Sequence, residues 1–223
     1  MLLLATDTSG KHGSIALAHC GPGEACNVIE MAPLEGGTFS AQLVPQIAAL
    51  LTKHGSGKQE IGAFAVVSGP GSFTGLRIGL TAIKALAEVL AKPIAAVSLL
   101  EAIAVSGRSQ GKVVAVLDAG RGDVYAGEYE VNLSGAHLVS ERLLTRSELV
   151  ASAVGSMVVT PDQGLGDAVS NAGLQVERIE LPRSDAVARL GWQKIMAKKT
   201  VLPEQLQANY VRSAAQIFSR SGS

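Results

Sequence analysis

Apolar and polar positions recur along this chain in two patterns, one typical of strands and one typical of helices. Short apolar runs predict buried strands, and apolar positions that recur every three or four residues predict amphipathic helices. The first half has predicted strands at Leu2–Thr6, Ser14–Ala18, Val28–Met31, Ile61–Val67 and Ile94–Val97, and predicted helices at Ser40–Lys53, Phe73–Ala91 and Leu99–Ser106. The second half has predicted strands at Val113–Leu117, Val124–Val131, His137–Ser140, Met157–Thr160 and Val176–Ile179, and predicted helices at Arg146–Val154, Asp167–Asn171 and Asp185–Lys199.

The order of these elements repeats, which predicts a duplicated α/β fold. Each half has three strands followed by helix, strand, helix, strand and helix, an order that builds a mixed sheet covered by helices. We therefore expect two lobes, residues 1–106 and 107–223, with a linker at Gly107–Lys112. The last segment, Leu202–Phe218, is expected to fold back onto a lobe, with the first lobe as the candidate. This layout resembles the actin-like superfamily of sugar kinases, acetate kinases and heat-shock ATPases.

A glycine-rich loop joins a predicted strand to a predicted helix in the stretch SGPGSFTGLRIG, residues 68–79. Such a junction leaves backbone N–H groups unpaired and collects the positive end of the helix dipole, so Gly69, Gly71 and Ser72 are candidate phosphate contacts. The same glycines could instead form a tight turn that lets the helix pack on the sheet. The loop lacks the Lys-Ser or Lys-Thr ending of a P-loop, and the glycines alone favour the packing turn.

The helix predicted after this loop is apolar on two faces, so it needs two surfaces to pack against. One stripe contains Leu76, Leu80 and Ile83, and the second contains residues such as Phe73 and Val89. The sheet accounts for one face, and the other faces either a neighbouring helix of the same chain or a partner protein. The residues that we predict at a partner interface are Leu43, Ile47, Leu76, Leu80 and Ile83.

An aspartate follows the first strand of each half. Asp7, Thr8 and Ser9 lie where kinases and ATPases of the actin-like superfamily bind phosphate and metal, and Asp118 lies at the matching place in the second half. Two such turns could coordinate magnesium through oxygen ligands, although Asp and Ser are also ordinary turn formers. The four histidines occur singly, and nothing resembles a nucleophile elbow. We therefore expect no catalytic residue and no metal site.

The composition excludes several classes of function. The 223 residues include 19 basic and 19 acidic side chains, and a net charge of zero argues against broad attraction to nucleic acid or to an anionic membrane. No apolar run approaches membrane-spanning length. Cys20 and Cys26 are the only cysteines and have neither metal-ligand spacing nor a framework of pairs, which fits a reduced protein of the cytoplasm.

Several motifs resemble the bacterial TsaB family, also called YeaZ. The stretch SGPGSFTGLRIG, followed by KALA and PIAAVSLLEAIA, is similar to that family nearly residue for residue, and ATDTS, VLDAGRGDVYAGEY and NYVR agree in the same order. The resemblance implies an actin-like fold and a role in making threonylcarbamoyladenosine in tRNA, 3′ of the anticodon. It also implies that the paralogue TsaD catalyses the transfer, with the chain as its required partner and with TsaE as an ATPase.

Comparison with the TsaD pattern favours a non-catalytic role. TsaD enzymes have an Asn-His-Leu-Glu-Gly-His segment whose two histidines bind a metal, whereas this chain has Leu99 and Ile103 at those places. One departure from many TsaB relatives is Phe39-Ser40, where they have His-Ser. We expect a scaffold that pairs with TsaD, or with a second copy when TsaD is absent, and that meets tRNA through the complex. We expect no tightly bound cofactor, with ATP or ADP at an interface of the complex as a further expectation.

Two other classes of function remain open. An actin-like kinase or ATPase would place Asp7, Asp118 and the glycine-rich loop around the phosphates of ATP. A glycoprotease-like peptidase is the weaker alternative, since the sequence shows neither a nucleophile nor a metal pair for it.

Overall fold

The computed structural model describes residues 1–23, 25–35 and 37–211 and contains ten strands and six α-helices in that part of the chain. In chain order the elements are β1 (Leu2–Asp7), β2 (Gly13–His19), β3 (Asn27–Leu34), α1 (Phe39–Lys53), β4 (Ile61–Gly69), α2 (Phe73–Leu90), β5 (Ile94–Ser98), α3 (Leu99–Ser106), β6 (Gly111–Gly120), β7 (Asp123–Asn132), β8 (Gly135–Thr145), α4 (Arg146–Ser152), β9 (Met157–Thr160), α5 (Gln163–Asn171), β10 (Val176–Arg178) and α6 (Ser184–Met196). Two short 3₁₀ helices cover Lys58–Glu60 and Pro203–Gln205.

The strands form two mixed sheets with the same internal order. The first sheet runs β3-β2-β1-β4-β5 and the second runs β8-β7-β6-β9-β10. In each sheet the first strand pairs antiparallel with the second strand and parallel with the fourth. The matching order confirms the predicted duplicated α/β fold with a mixed sheet in each half.

The chain divides into two compact units whose bounds differ from the predicted lobes. The first unit contains Met1–Ser98 and Pro182–Asn209, and the second contains Leu99–Leu181 and resumes at Tyr210. Helix α3 packs on β6, β7 and β8, whereas α6 packs on β1, β2, β4 and β5. The predicted boundary after residue 106 differs from this division because the last helix of each half packs on the sheet of the other half.

The packing of α6 depends on one glycine. Gly191 lies so close to the first sheet that a Cβ atom at this position would overlap the Cβ atom of Ala65 on β4. The N-terminus of the same helix is held by Ser184, whose N–H donates to the Ser14 Oγ atom at 3.0 Å. Successive residues of β1 and β4 are buried, so both faces of this sheet are covered.

The segment after α6 lies along the first unit. Val201 pairs with Ile94 at the start of β5, and the Asn209 N–H donates to the Ser68 carbonyl at 2.7 Å. As far as Asn209, the segment therefore lies on the first lobe, as the sequence predicted. Residues 212–218 of the predicted segment lie outside the described residues.

Several predicted boundaries shift for local reasons. Helix α5 begins at Gln163 because the Asp162 side chain accepts from the Leu165 N–H at 3.2 Å, which caps the helix earlier than predicted. Strand β6 begins at Gly111, so the end of the predicted linker belongs to a strand. Helix α6 ends at Met196 rather than at Lys199.

The sequence predicted a reduced protein, whereas the structure pairs Cys20 and Cys26 in a disulfide. Cys20 follows β2 and Cys26 precedes β3, and the antiparallel pairing of His19 with Asn27 brings the two cysteine Cα atoms to 4.4 Å. Over the described part of the chain, no helix combines the length and the apolar character needed to cross a membrane.

The close contact of α6 predicts the effect of one methyl group. We expect Gly191→Ala to lower the free energy of unfolding by about 1–3 kcal/mol, because the new Cβ atom forces α6 away from the sheet. Gly57→Ala is the control in the same unit, since its φ of −100° and ψ of 162° suit any residue. That variant should gain about 0.5 kcal/mol through a less flexible unfolded chain. Urea unfolding checks both, and equal stability of the two variants would contradict the tight packing of α6.

Candidate partner surface and glycine loop

The glycine-rich loop after β4 forms a sharp strand-to-helix junction. Gly69 and Gly71 have φ angles of 134° and 155°, a region that favours glycine. Ser72 is the N-cap of α2, and its Oγ atom accepts from the Gly75 N–H at 3.3 Å. One donor of the first turn is thus satisfied by the chain itself.

The turn after β1 packs directly on this loop. The Ser72 N–H donates to the Ser9 carbonyl at 2.6 Å, and the Thr8 Oγ1 atom donates to the Gly75 carbonyl at 2.7 Å. Cβ atoms at Gly71, Gly75 or Gly79 would overlap atoms of Thr8 or Ser9. The structure therefore brings together the predicted residues of the loop and of the first turn, and the glycines permit this close backbone approach.

Asp7 is used within its own turn. Its Oδ1 atom accepts from the Ser9 N–H at 2.8 Å and from the Ser9 Oγ atom at 2.6 Å, and the residue is 4% exposed. Burial raises the pKa of Asp7, and the two hydrogen bonds from Ser9 oppose that increase. Asp7 therefore has a structural role, because its buried carboxylate accepts two hydrogen bonds that stabilise the turn.

Asp118 has a different environment from Asp7. It is exposed near the end of β6 in the second unit, and its Oδ1 atom accepts from the Gly120 N–H at 3.3 Å. Among the described residues, no group of three or more His, Cys, Asp or Glu is placed to hold a metal ion. His54 contacts the Glu30 carboxylate at 2.8 Å.

The five residues predicted at a partner interface are core residues of this chain. Leu43, Ile47, Leu76 and Ile83 are buried, and Leu80 is only 7% exposed. These side chains belong to the faces of α1 and α2 that point into the first unit, so they cannot form a partner surface while the chain is folded. An Arg substitution at Leu80 would therefore disrupt the core rather than an interface.

The opposite faces of α1 and α2 form an exposed surface with few charges. The two helices pack on each other, and Val44, Phe73 and Val89 are 52%, 53% and 78% exposed. The only charged residue of α1 is Lys53, in its last turn. We call this the helix-pair surface, and its exposed apolar members are Ala41, Val44, Pro45, Ala48, Ala49, Phe73, Ala85 and Val89.

The sequence contained one signal for this surface. Phe73 and Val89 belong to the second apolar stripe of α2, whereas the exposed residues of α1 were missed because they are mostly small. A lack of charge at outward positions such as Ala41, Val44 and Ala48 is the feature that could have identified them. The Arg77 guanidinium lies 4.1 Å above the Phe73 ring, and Glu88 is also exposed on α2, so this helix adds charges of both signs to the surface.

The environment of Asp7 predicts how stability changes with pH. Because burial raises the pKa of Asp7 above the ordinary value of 3.8, the folded chain binds this proton more tightly than the unfolded chain. The contribution of Asp7 to the free energy of unfolding should therefore fall as pH rises from about that value through the folded pKa. Asp7→Asn keeps an acceptor for Ser9 without the charge, so its stability relative to the parent should rise over the same range. Urea unfolding at a series of pH values measures this difference, and a difference that is independent of pH would contradict it.

Comparison with known proteins gives one consistent family. A family model described as TsaD, tRNA N6-adenosine threonylcarbamoyltransferase, matches residues 36–184. The tRNA threonylcarbamoyladenosine biosynthesis protein TsaB of Escherichia coli (strain K12) is 30% identical over 225 residues, covering 96% of this chain and 95% of that protein. TsaB of Bacillus subtilis (strain 168) is 38% identical over 131 residues, covering 58% of this chain and 56% of that protein. That match thus spans little more than half of the Bacillus protein.

A solved structure agrees with these relatives. YeaZ from Pseudomonas aeruginosa superposes with a TM-score of 0.77 at 26% sequence identity, covering 94% of this chain and 99% of that chain. This agreement over nearly the full length, together with the two matching sheets, confirms the duplicated actin-like fold. The chain therefore belongs to the TsaB family, also called YeaZ, of tRNA threonylcarbamoyladenosine biosynthesis proteins.

Proposed function

We propose that the chain is a non-catalytic partner of TsaD and binds it through the helix-pair surface. The observation that carries this proposal is the set of exposed apolar side chains on two adjacent helices, of which α1 has no charged residue before its last turn, whereas α2 carries Arg77, Lys84 and Glu88. A folded monomer rarely exposes a contiguous apolar surface without a binding role. TsaD is the proposed occupant because its family model also matches this chain, and two related folds can pair matching helices.

The exposed side chains would contribute to the stability of such an interface. Full burial of an aromatic or branched side chain such as Phe73, Val44 or Val89 contributes about 1.5–3 kcal/mol. The small residues between them, Ala41, Ala48 and Ala85, let partner helices approach closely. The same surface would serve a homodimer when TsaD is absent, since two copies present the same exposed apolar side chains.

The proposed lack of catalysis rests on what occupies the corresponding positions. Leu99 and Ile103 are apolar and buried on α3, so neither can bind the metal that TsaD is inferred to hold there. Thr8 and Ser9 lie against the glycines of the loop, so these two residues fill space in which a phosphate would otherwise bind. Asp7 accepts hydrogen bonds from its own turn.

The remaining parts of the proposal concern the assembled complex. TsaE acts as the ATPase, ATP or ADP binds at an interface of the complex, and this chain holds no tightly bound cofactor. The tRNA is bound by the complex as a whole, and the reaction takes place in the cytoplasm. Support for this arrangement comes from family membership, since the pairing of Cys20 with Cys26 removes the argument for the cytoplasm that rested on reduced cysteines.

An arginine on the helix-pair surface should prevent the complex from forming. Val44→Arg and Ala85→Arg each place a charge at an exposed position, so we expect each to weaken binding to TsaD at least about tenfold without loss of folding. Leu133→Arg is the matched control, because Leu133 is 93% exposed in the turn between β7 and β8. Titration calorimetry measures affinity, and circular dichroism checks the fold.

The outcomes of this experiment are distinct. Weak binding by both surface variants, with unchanged binding by the control, is the expected result. Unchanged affinity of Val44→Arg and Ala85→Arg would place the interface elsewhere. A folded parent chain that does not bind TsaD at all would overturn the partnership itself.

A further inference from the structure

One edge of the first sheet concentrates the lysines of this chain. The parallel strands β4 and β5 start there, and Lys58 and Lys92 precede them by three and two residues. Helix α6 ends at the same edge, because Val201, which follows it, pairs with Ile94 at the start of β5. We call this the lysine edge, and its members are Lys58, Lys92, Lys194, Lys198 and Lys199.

The distribution of basic residues is uneven. Together with Lys53 at the end of α1, six of the nine lysines lie at this edge of a chain whose net charge is zero. By contrast, Arg77 lies in the first turns of α2 and Arg183 precedes α6, both at the opposite ends of their helices. The positive charge of this edge therefore comes from lysine side chains.

Most of these lysines have no acidic partner within the described chain. Lys53 pairs with Glu30 at 2.7 Å. In contrast, Lys58, Lys92, Lys198 and Lys199 form no ion pair with any described residue. Two carboxylates lie near these lysines in the sequence. Glu60 follows Lys58 and accepts from the Gly57 N–H at 2.7 Å, and Glu88 lies in the last turns of α2, before Lys92. The positive charge is only partly offset.

Stabilisation of helix ends does not account for the whole cluster. Helices α1, α2 and α6 all end at this edge, and a cation near a helix C-terminus is favourable. Lys53 and Lys92 provide one cation each for α1 and α2, but the end of α6 has three lysines, with Lys194 in its last turn and Lys198 and Lys199 after it. Lys58 lies in a short 3₁₀ helix and follows none of the α-helices directly.

We propose that the lysine edge binds the phosphate backbone of tRNA when the chain is in its complex, an inference that rests on the proposed function. Lysine side chains are flexible point charges that contact phosphates without reading bases, so this edge would bind an RNA backbone independently of its sequence. The edge also adjoins the helix-pair surface, since α1 and α2 end there. A tRNA held by the complex can therefore extend from the partner onto this edge without crossing the chain.

A pair of matched double variants tests this surface. Lys58→Gln with Lys199→Gln removes two charges from the edge, and Lys11→Gln with Lys112→Gln removes two charges from elsewhere. Both are measured as complexes with TsaD, whose formation is first checked by light scattering. We expect the edge variant to bind tRNA roughly tenfold more weakly, with the slope of log affinity against log salt reduced by about two. The control should bind tRNA as the parent does.

Each outcome decides between specific explanations. Equal tRNA affinity of the two double variants would overturn the proposal while leaving the partnership with TsaD intact. If the edge variant loses stability in urea but binds tRNA as before, the lysines serve only to stabilise the ends of the helices. If it loses binding to TsaE while its tRNA affinity is unchanged, the edge binds an acidic protein instead. If no complex forms, the proposed function fails, and the same comparison on the isolated chain at low salt decides whether the edge binds RNA.

Discussion

The contact between the first turn and helix α2 determines how the first unit presents its surface. Thr8 donates to the Gly75 carbonyl and lies against Gly79, so the backbone of α2 rests directly on the end of β1. Residues four apart share one face of a helix, and the opposite face, which includes Phe73 and Arg77, is therefore directed outward. The glycines that resemble a phosphate loop thus serve to place an exposed helix.

This placement connects the fold to the proposed function. In an actin-like kinase or ATPase the turn after the first strand binds phosphate and metal, but here Ser9 occupies the Asp7 carboxylate and Thr8 and Ser9 pack against the glycines. The chain retains the duplicated architecture of that superfamily, and the helix-pair surface lies on α1 and α2. A structure of this kind suits a protein that positions a catalytic relative.

The elements of the fold could be predicted from periodicity because most strands and helices are bounded by local signals. The packing of α3 and α6, each on the sheet of the other half, could not be predicted from periodicity. It depends on non-local contacts such as that of Gly191 with Ala65. The sequence placed the predicted interface residues Leu76, Leu80 and Ile83 on the buried face of α2. This helix is apolar on two faces, and periodicity alone does not show which of them is buried. Pairing of Cys20 with Cys26 depends on the register of β2 with β3, which the sequence pattern leaves undetermined.

The most direct test of the account is threonylcarbamoyl transfer to tRNA in a purified mixture of TsaD, TsaE, ATP and a source of threonylcarbamoyl-adenylate, with and without this chain. A non-catalytic partner predicts transfer that appears only when the chain is added and that persists when Asp7→Asn and Asp118→Ala replace the parent. Transfer that does not depend on the chain would contradict the partnership. Transfer that requires both carboxylates would contradict the absence of a working nucleotide site.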